Sequence, residues 1–180
     1  DAASTDGTDA ILIDSVYKGN LLLKNRLESF SKNNNDLLKH FNIKSKYIFL
    51  LNPDTYIEEN VVDKLVDFME GNIGVEIAAP RLLYPDGNIK NSWKKFPNIF
   101  RVLHKRLGMH SAYVDNDVYN SKISQKIEWA LGAALFIRSS SFGESELLDE
   151  RYRLYCEDSD ICFYAMMKGY EVWGIGGATV

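Results

Sequence analysis

The chain has 180 residues, of which 46% are hydrophobic and 12% aromatic, with a formal net charge of -4. This is enough apolar material for one core, and we expect residues 1–180 to form a single domain. The acidic balance excludes a general nucleic-acid binder, which needs a broad basic face. The only cysteines, Cys156 and Cys162, match no zinc or redox motif, and no apolar run is long enough to span a membrane.

The first quarter of the chain predicts a short strand and a helix. Residues 21–23 are three leucines and predict the strand. Residues 31–42 predict the helix, because apolar residues recur there at helical spacing. Residues 9–16 are apolar without a clear period, so their state stays open.

Residues 47–51 are five apolar residues that lead into Asn52, Pro53 and Asp54. A continuous apolar run predicts a strand covered on both faces, and Pro53 ends it. The carboxyl ends of strands in an open α/β sheet line the ligand crevice, so Asp54 is placed to hold a metal or a polar ligand. An Asx-type turn, in which Asp54 caps a helix starting near Glu58, explains the position equally well.

The rest of the chain continues to alternate extended and helical segments. Residues 58–70 predict a helix ending at Gly71. Gly132 lies within an apolar segment, where we expect another group to approach closely. The remaining predictions are two extended segments joined by a tight turn, a strand, a helix and a final strand: residues 76–84 and 88–93, 129–137, 157–168, and 170–173. This alternation favours an α/β fold.

Three carboxylates, Glu157, Asp158 and Asp160, lie within four residues at the start of a predicted helix. Such crowding raises the proton affinity of at least one of them unless a cation or helix amides compensate, which is how a general base is tuned. Acidic residues also favour a first helical turn because they complement the helix dipole. The residues alone leave both interpretations open.

Six short motifs follow one another in a fixed order over nearly the whole chain. They are residues 1–8, 30–35, 50–55 and 80–87, then Trp129 with Gly132 and Ala133, then residues 148–152 with Glu157 and Asp158. This order resembles the family 2 glycosyltransferases, and within them the rhamnosyltransferase-like branch. The resemblance implies the GT-A fold, an α/β fold with a mixed, mostly parallel nucleotide-binding sheet flanked by helices. It also implies that the chain is a partial domain, with the first strand preceding Asp1 and the end of the fold following Val180.

The resemblance implies an inverting, metal-dependent glycosyltransferase of polysaccharide synthesis. The enzyme would move a sugar, with rhamnose as the candidate, from a UDP- or dTDP-sugar donor to the hydroxyl of a saccharide or lipid-linked acceptor, using Mg²⁺ or Mn²⁺. No nucleic-acid partner is implied. The implied location is the cytoplasm, at the inner face of the membrane. The basic, amphipathic residues 94–107 suit contact with anionic lipid, although an ordinary solvated helix explains them better.

Matching the motifs position by position implies a role for each site residue. Asp158 would be the catalytic base, and Asp54 the metal ligand. The nucleotide site would contain Asp1, Asn35, Asn52 and Asp54, and the acceptor site Trp129, Glu157 and Asp160. A tryptophan that opens an apolar strand is more often a core residue than a sugar platform, so both interpretations of Trp129 stand.

Three positions depart from the family pattern. Ala2 replaces an asparagine, Ser29 a glycine, and Tyr164 an arginine that would give the acids or phosphates a cationic partner. These departures keep an alternative open, a non-catalytic nucleotide-sugar-binding or assembly module on the same fold.

Overall fold

The computed structural model describes residues 1–15, 18–97, 123–142 and 146–180. The chain divides into a smaller unit, Asp1–Ser45 with Phe142–Glu157, and a larger unit, Lys46–Ser141 with Asp158–Val180. That residues 1–180 form a single domain stays a prediction. None of the helices in the described ranges is both long and apolar enough to cross a membrane.

The larger unit is built on a mixed five-stranded sheet. Its strands are β1 (Tyr47–Leu51), β2 (Val75–Arg81), β4 (Gln125–Ile127), β6 (Ala134–Arg138) and β7 (Glu171–Thr179), in the order β1-β6-β2-β7-β4. A second, two-stranded sheet pairs β3 (Trp93–Lys94) with β5 (Trp129–Ala130). The predicted α/β fold is confirmed. In the described sheet, β2 and β7 are parallel and the other pairings are antiparallel, so its parallel share is smaller than predicted.

Four α-helices accompany these strands in the described residues. They are α1 (Thr8–Ile13), α2 (Phe30–His40), α3 (Val61–Gly71) and α4 (Glu157–Met167). The helices predicted at residues 31–42, 58–70 and 157–168 are confirmed, with ends shifted by up to three residues. Residues 9–16, whose state the sequence left open, include all of α1 except its first residue, Thr8.

Three strand predictions need correction. Residues 21–23 do not form a strand. The nearest strand-like pairing is an isolated bridge between Ala2 and Lys24, one residue after the predicted strand. In residues 88–93 only Trp93 lies in a strand, and Ile89 makes an isolated bridge to Leu83. Residues 129–137 form two strands rather than one, because a turn interrupts them after Ala130.

The core of the larger unit lies between α3 and the sheet. Val61, Leu65 and Met69 recur at four-residue spacing along α3 and are buried against residues of β2, β6 and β7. Burying a side chain of this size contributes about 1.5–3 kcal/mol. Strand β1 was predicted to be buried on both faces, but only Leu50 is buried, because β1 is the edge of the described sheet.

Arg138, at the end of β6, ties the sheet to the end of α3. Its Nη2 donates to the carbonyl of Met69 at 2.7 Å, and its Nε donates to the carbonyl of Val75 at 3.3 Å. A cation at a helix C-terminus satisfies an otherwise unpaired carbonyl and complements the helix dipole. The guanidinium also lies 5.3 Å from the ring centre of Tyr47 in β1.

Trp93 is a fully buried residue that packs directly on strand β7. Its Nε1 donates to the carbonyl of Pro80 at 3.2 Å. A Cβ added at Gly174 would lie 2.4 Å from the Trp93 ring, closer than any non-bonded carbon can approach. Gly174 therefore makes room for the indole.

Candidate active site

Asp54 lies in a tight turn at the carboxyl end of β1. The turn is closed by Thr55, whose backbone N–H and Oγ1 both donate to the carbonyl of Asn52, at 3.2 and 2.6 Å. The Asn52 N–H donates to the carbonyl of Ala133 at 2.9 Å, which fixes the turn to the start of β6. The Asp54 side chain is exposed and makes no hydrogen bond or ion pair with the described residues.

The structure separates the two explanations of Asp54 that the sequence left open. Helix α3 begins at Val61, and its N-cap is Asn60, which gives no side-chain cap hydrogen bond. Asp54 therefore does not cap α3, and its turn is held by the hydroxyl of Thr55 instead. Both carboxylate oxygens remain available to a ligand.

A cavity of about 610 Å³ opens beside Asp54 within the larger unit. Two of its walls are the chain after β1 and a hairpin of residues 82–90, and the end of β7 completes the lining. The polar side chains on its lining are those of Asn52, Asp54, Thr55, Tyr56, Glu58, Tyr84, Lys90 and Thr179. Its volume is in the range of a small-molecule site.

The donor atoms at this cavity fit a hard divalent cation held jointly with a phosphate ligand. Asp54 offers carboxylate oxygen, the ligand type that Mg²⁺ and Mn²⁺ prefer. Among the described residues no three His, Cys, Asp or Glu side chains come together as a metal cage. A metal bound here would therefore take most of its ligands from phosphate oxygens and water, as Mg²⁺ commonly does.

The hairpin that walls the cavity is closed by backbone hydrogen bonds. The N–H of Tyr84 donates to the carbonyl of Asn88 and that of Gly87 donates to the carbonyl of Tyr84, both at 2.8 Å. Gly87 has φ +80, a backbone conformation that L side chains rarely adopt. Asp86 accepts from the backbone and side chain of Asn88, at 2.9 and 2.8 Å, and these bonds lower the pKa of its carboxyl.

The hairpin is also joined to the last strand. The N–H of Leu83 donates to the carbonyl of Val180, and the N–H of Val180 donates to the carbonyl of Arg81, both at 2.9 Å. The wall is thus an extension of the sheet, and the predicted turn at residues 85–87 is confirmed.

Asp158, in the first turn of α4, is oriented by a backbone amide from the turn between β5 and β6. The Gly132 N–H donates to Asp158 Oδ2 at 3.0 Å, and the Ser159 N–H donates to Oδ1 at 2.7 Å. A Cβ added at Gly132 would lie 3.2 Å from the Cβ of Asp158. The close approach that the sequence predicted at Gly132 is confirmed, and the approaching group is the predicted base.

The residue one turn after Asp158 is a buried thiol. Cys162 is fully buried, and burial raises its pKa to about 12, with a smaller contribution from the negative charge of Asp158. The thiolate is the nucleophilic form of cysteine, so Cys162 is inert at neutral pH. Cys156, by contrast, is exposed.

The predicted acceptor-site residues occupy half-buried positions. Trp129 stacks on Phe96 with ring centres 6.4 Å apart, and its Nε1 is buried without a hydrogen-bond partner among the described residues. The Oε2 of Glu157 is likewise buried without such a partner, and Asp160 is half-buried. The acceptor-site role of these three residues stays a prediction.

The backbone just before α4 is strained. Tyr155 and Cys156 have φ values of 66 and 73, in the left-handed region that non-glycine residues rarely occupy. Two consecutive residues in this region cost free energy that the rest of the fold must offset, and such strain concentrates near functional segments.

In the smaller unit, Asn35 is a packing residue. It is buried, its Nδ2 donates to the carbonyl of Leu148 at 2.7 Å, and its Oδ1 accepts from the Leu148 N–H at 3.1 Å. Nδ2 also lies 3.2 Å from Oε1 of Glu150. Since these contacts occupy its amide, we leave Asn35 out of the proposed site, where the sequence had placed it.

Asp1, also in the smaller unit, holds its own turn. Its carboxylate accepts from the backbone N–H of Ser4 at 3.0 Å and from the Ser4 hydroxyl at 2.5 Å. Its predicted place in the nucleotide site stays a prediction.

Two departures from the family pattern have local explanations. Ser29 is the N-cap of α2, and its Oγ accepts from the Lys32 N–H at 3.1 Å, so the serine stabilises the helix start. Tyr164 carries a cation on its ring, since Lys168 Nζ lies 5.4 Å from the ring centre. Nothing in the structure explains Ala2.

The chain resembles known proteins in both sequence and fold. No family model matches it. It is 28% identical over 123 residues to an N-acetylglucosaminyl-diphospho-decaprenol L-rhamnosyltransferase of Mycobacterium tuberculosis (strain CDC 1551 / Oshkosh), covering 64% of this chain and 39% of that protein. It is 23% identical over 181 residues to the rhamnosyltransferase WbbL of Escherichia coli (strain K12), covering 93% of this chain and 66% of that protein.

A crystal structure of GalNAc-T7 with UDP, GalNAc and Mn²⁺ has a similar fold. It matches with a TM-score of 0.64 at 13% identity, over 97% of this chain and 34% of that chain. At this identity the match supports a shared fold alone. The chain spans about two fifths of the length of the mycobacterial relative. The predicted resemblance is thereby confirmed: this chain is similar in sequence to rhamnosyltransferases and shares its α/β fold with the solved structure of GalNAc-T7.

Proposed function

We propose that this chain is the catalytic part of an inverting, metal-dependent glycosyltransferase. The observation that carries the proposal is the contrast at two carboxylates of the larger unit. Asp54 is exposed on a cavity and bonded to none of the described residues, whereas a backbone amide holds Asp158 in one orientation. A carboxylate that binds a cation needs free oxygens. A carboxylate that acts as a general base needs a fixed orientation.

Asp54 and the cavity beside it serve the donor. Asp54 would hold Mg²⁺ or Mn²⁺, and the metal would stabilise the charge that develops on the diphosphate leaving group. Asn52 shapes the turn through its backbone, and its side chain lines the same cavity. The proposed donor is a UDP- or dTDP-sugar.

Asp158 serves the acceptor as a general base. The acceptor hydroxyl gives its proton to the Asp158 carboxylate as its oxygen bonds to the anomeric carbon. The bond between that carbon and the diphosphate oxygen breaks on the opposite face, so the anomeric configuration inverts. The Gly132 amide fixes the carboxylate, which keeps the proton acceptor aligned with the attacking hydroxyl.

The names of the relatives suggest the substrates. Two are rhamnosyltransferases, and one of these is named for an acceptor in which a diphosphate links N-acetylglucosamine to decaprenol. We therefore propose a rhamnosyl donor and a lipid-linked saccharide acceptor. A lipid-linked acceptor would place the reaction at the cytoplasmic face of a membrane.

Calorimetry with UDP and with dTDP, each with and without Mn²⁺, tests the donor side. We expect Mn²⁺-dependent binding that weakens by at least about tenfold in Asp54→Asn, because the substitution removes a charged ligand. Asp67→Asn is the matched control, since Asp67 is exposed on α3. Binding that is indifferent to Mn²⁺, or equally weakened in both variants, would contradict the assignment of Asp54.

The departures at Ala2, Ser29 and Tyr164 favour one second candidate, a non-catalytic nucleotide-sugar-binding module. The two candidates differ in turnover. Transfer of labelled sugar to a lipid-linked saccharide supports the enzyme, whereas Mn²⁺-dependent nucleotide binding without transfer supports the module.

A further inference from the structure

We propose that Lys90 binds the diphosphate of the donor in the cavity that Asp54 shares. The inference rests on the proposed function and deepens it, because it names a cationic residue for the ligand's charged part. No motif contains Lys90, and only its position in the structure draws attention to it.

Lys90 is placed on the cavity wall by its own backbone. Lys90 lies on the second arm of the hairpin, and its N–H donates to the carbonyl of Leu82 on the first arm at 2.9 Å. It is half-buried, and its side chain lines the cavity together with Asp54. The backbone that carries Lys90 is therefore positioned by a hydrogen bond within the hairpin.

The charged end of Lys90 lies over an aromatic ring rather than against a carboxylate. Its Nζ lies 5.7 Å from the ring centre of Tyr84, on the other arm of the hairpin. Within residues 1–15, 18–97, 123–142 and 146–180 it forms no ion pair. A ring face holds an ammonium group weakly, so the cation is available to a stronger anionic partner.

The charges on the cavity lining indicate the class of that partner. The carboxylates of Asp54 and Glu58 and the ammonium of Lys90 line it together. A ligand that pairs with both the carboxylates and the ammonium group must carry a cation and an anion together. A metal-bound diphosphate does so. Lysine binds phosphate oxygens as a compact point charge, and charge-assisted hydrogen bonds of this kind are stronger than neutral ones.

The test compares Lys90→Met with Lys90→Arg. Methionine keeps most of the length of the side chain but removes the charge, and arginine keeps the charge. Lys64→Met is the matched control, because Lys64 is exposed on α3, away from the cavity lining. Binding of UDP with Mg²⁺, which is diamagnetic, and of uridine is measured by NMR titration, which also detects weak nucleoside binding.

We expect Lys90→Met to weaken UDP binding by about tenfold or more and to leave uridine binding unchanged. Lys90→Arg should stay within a few fold of the unaltered chain, and Lys64→Met should bind like it. Equal UDP affinity in Lys90→Met and the unaltered chain overturns the role of Lys90 while leaving the proposed function intact. Equal loss for UDP and uridine also overturns it, because the side chain would then act on the nucleoside or the fold. An unaltered chain that binds no UDP and no dTDP overturns both proposals.

Discussion

Asp54 and Asp158 are carboxylates of the same unit, but the fold treats them in opposite ways. The turn around Asp54 is closed by the hydroxyl and amide of Thr55, and the aspartate side chain bonds to no residue in the part of the chain that the structure describes. Asp158 instead accepts amide hydrogen bonds at both oxygens, and Gly132 lies so close that it has no room for a methyl group without displacement. The difference shows that position in a motif indicates a role, while the surrounding contacts show how that role is prepared.

The largest expected effect separates the two carboxylates by activity. Asp158→Asn removes the proton acceptor while keeping the size of the side chain, so transfer should fall by about 10²–10⁴-fold, while UDP binding is spared. Steady-state transfer assays and calorimetry on the same protein check both parts. Asp63→Asn, on the exposed face of α3, is the control. Near-normal turnover in Asp158→Asn would remove the base from the mechanism.

Gly132→Ala probes the orientation of Asp158 without changing its chemistry. The added Cβ would lie 3.2 Å from the Cβ of Asp158, so the carboxylate must shift by a few tenths of an ångström. We expect transfer to fall by about tenfold, since small misplacements of catalytic groups are costly, with UDP affinity unchanged. Unchanged turnover would mean that the Gly132 contact serves packing only.

Gly174→Ala tests whether glycine crowding affects stability where no catalytic group is involved. The Cβ would overlap the buried Trp93 ring, so we expect the free energy of unfolding to fall by about 1–3 kcal/mol in denaturant melts. Gly177→Ala, in the same strand with open space around it, should change stability far less. Similar losses in both variants would attribute the effect to the strand backbone rather than to Trp93.

The smallest effect is chemical and probes the packing beneath Asp158. Because burial raises the pKa of Cys162 to about 12, an alkylating reagent at pH 8 should label Cys156 alone in the folded chain. Both thiols should react in denaturant. Mass spectrometry counts the labels, and rapid labelling of Cys162 in the folded chain would show that the region under α4 is open.

The sequence predicted the elements around Asp54 because their signals are local. An apolar run, a proline and a turn lie within nine residues, and the helix that follows has clear periodicity. The amphipathic helices were predicted for the same reason. The interruption of residues 129–137 was missed, and the contact made at that turn joins Gly132 to a residue distant in the sequence, Asp158. Within residues 129–137, Gly132 was the one residue that indicated this contact in the sequence.

Long-range contacts add what the sequence does not show. The place of Asn35 in the nucleotide site stays a prediction, and its amide is bonded to Leu148, 113 positions along the chain. Lys90 carried no signal, since one lysine after a turn is ordinary, and it gains significance only through the cavity it shares with Asp54. Local patterns thus predict helices, strands and turns, whereas the contacts of a side chain depend on the fold.

Two segments that line the Asp54 cavity, the hairpin and the loop after Thr55, differ in how many backbone hydrogen bonds hold them. This difference predicts which segment moves more easily. The hairpin of residues 82–90 is bonded to Val180 and within itself at 2.8–2.9 Å. The loop between Thr55 and α3 reaches the end of β7 through one backbone bond, from Glu58 to Thr179 at 3.5 Å. Local opening begins where backbone hydrogen bonds are few and exposed. We therefore expect the amides of residues 56–59 to exchange with solvent faster than those of the hairpin. A donor would then enter the cavity from the side of this loop, while the hairpin keeps its shape.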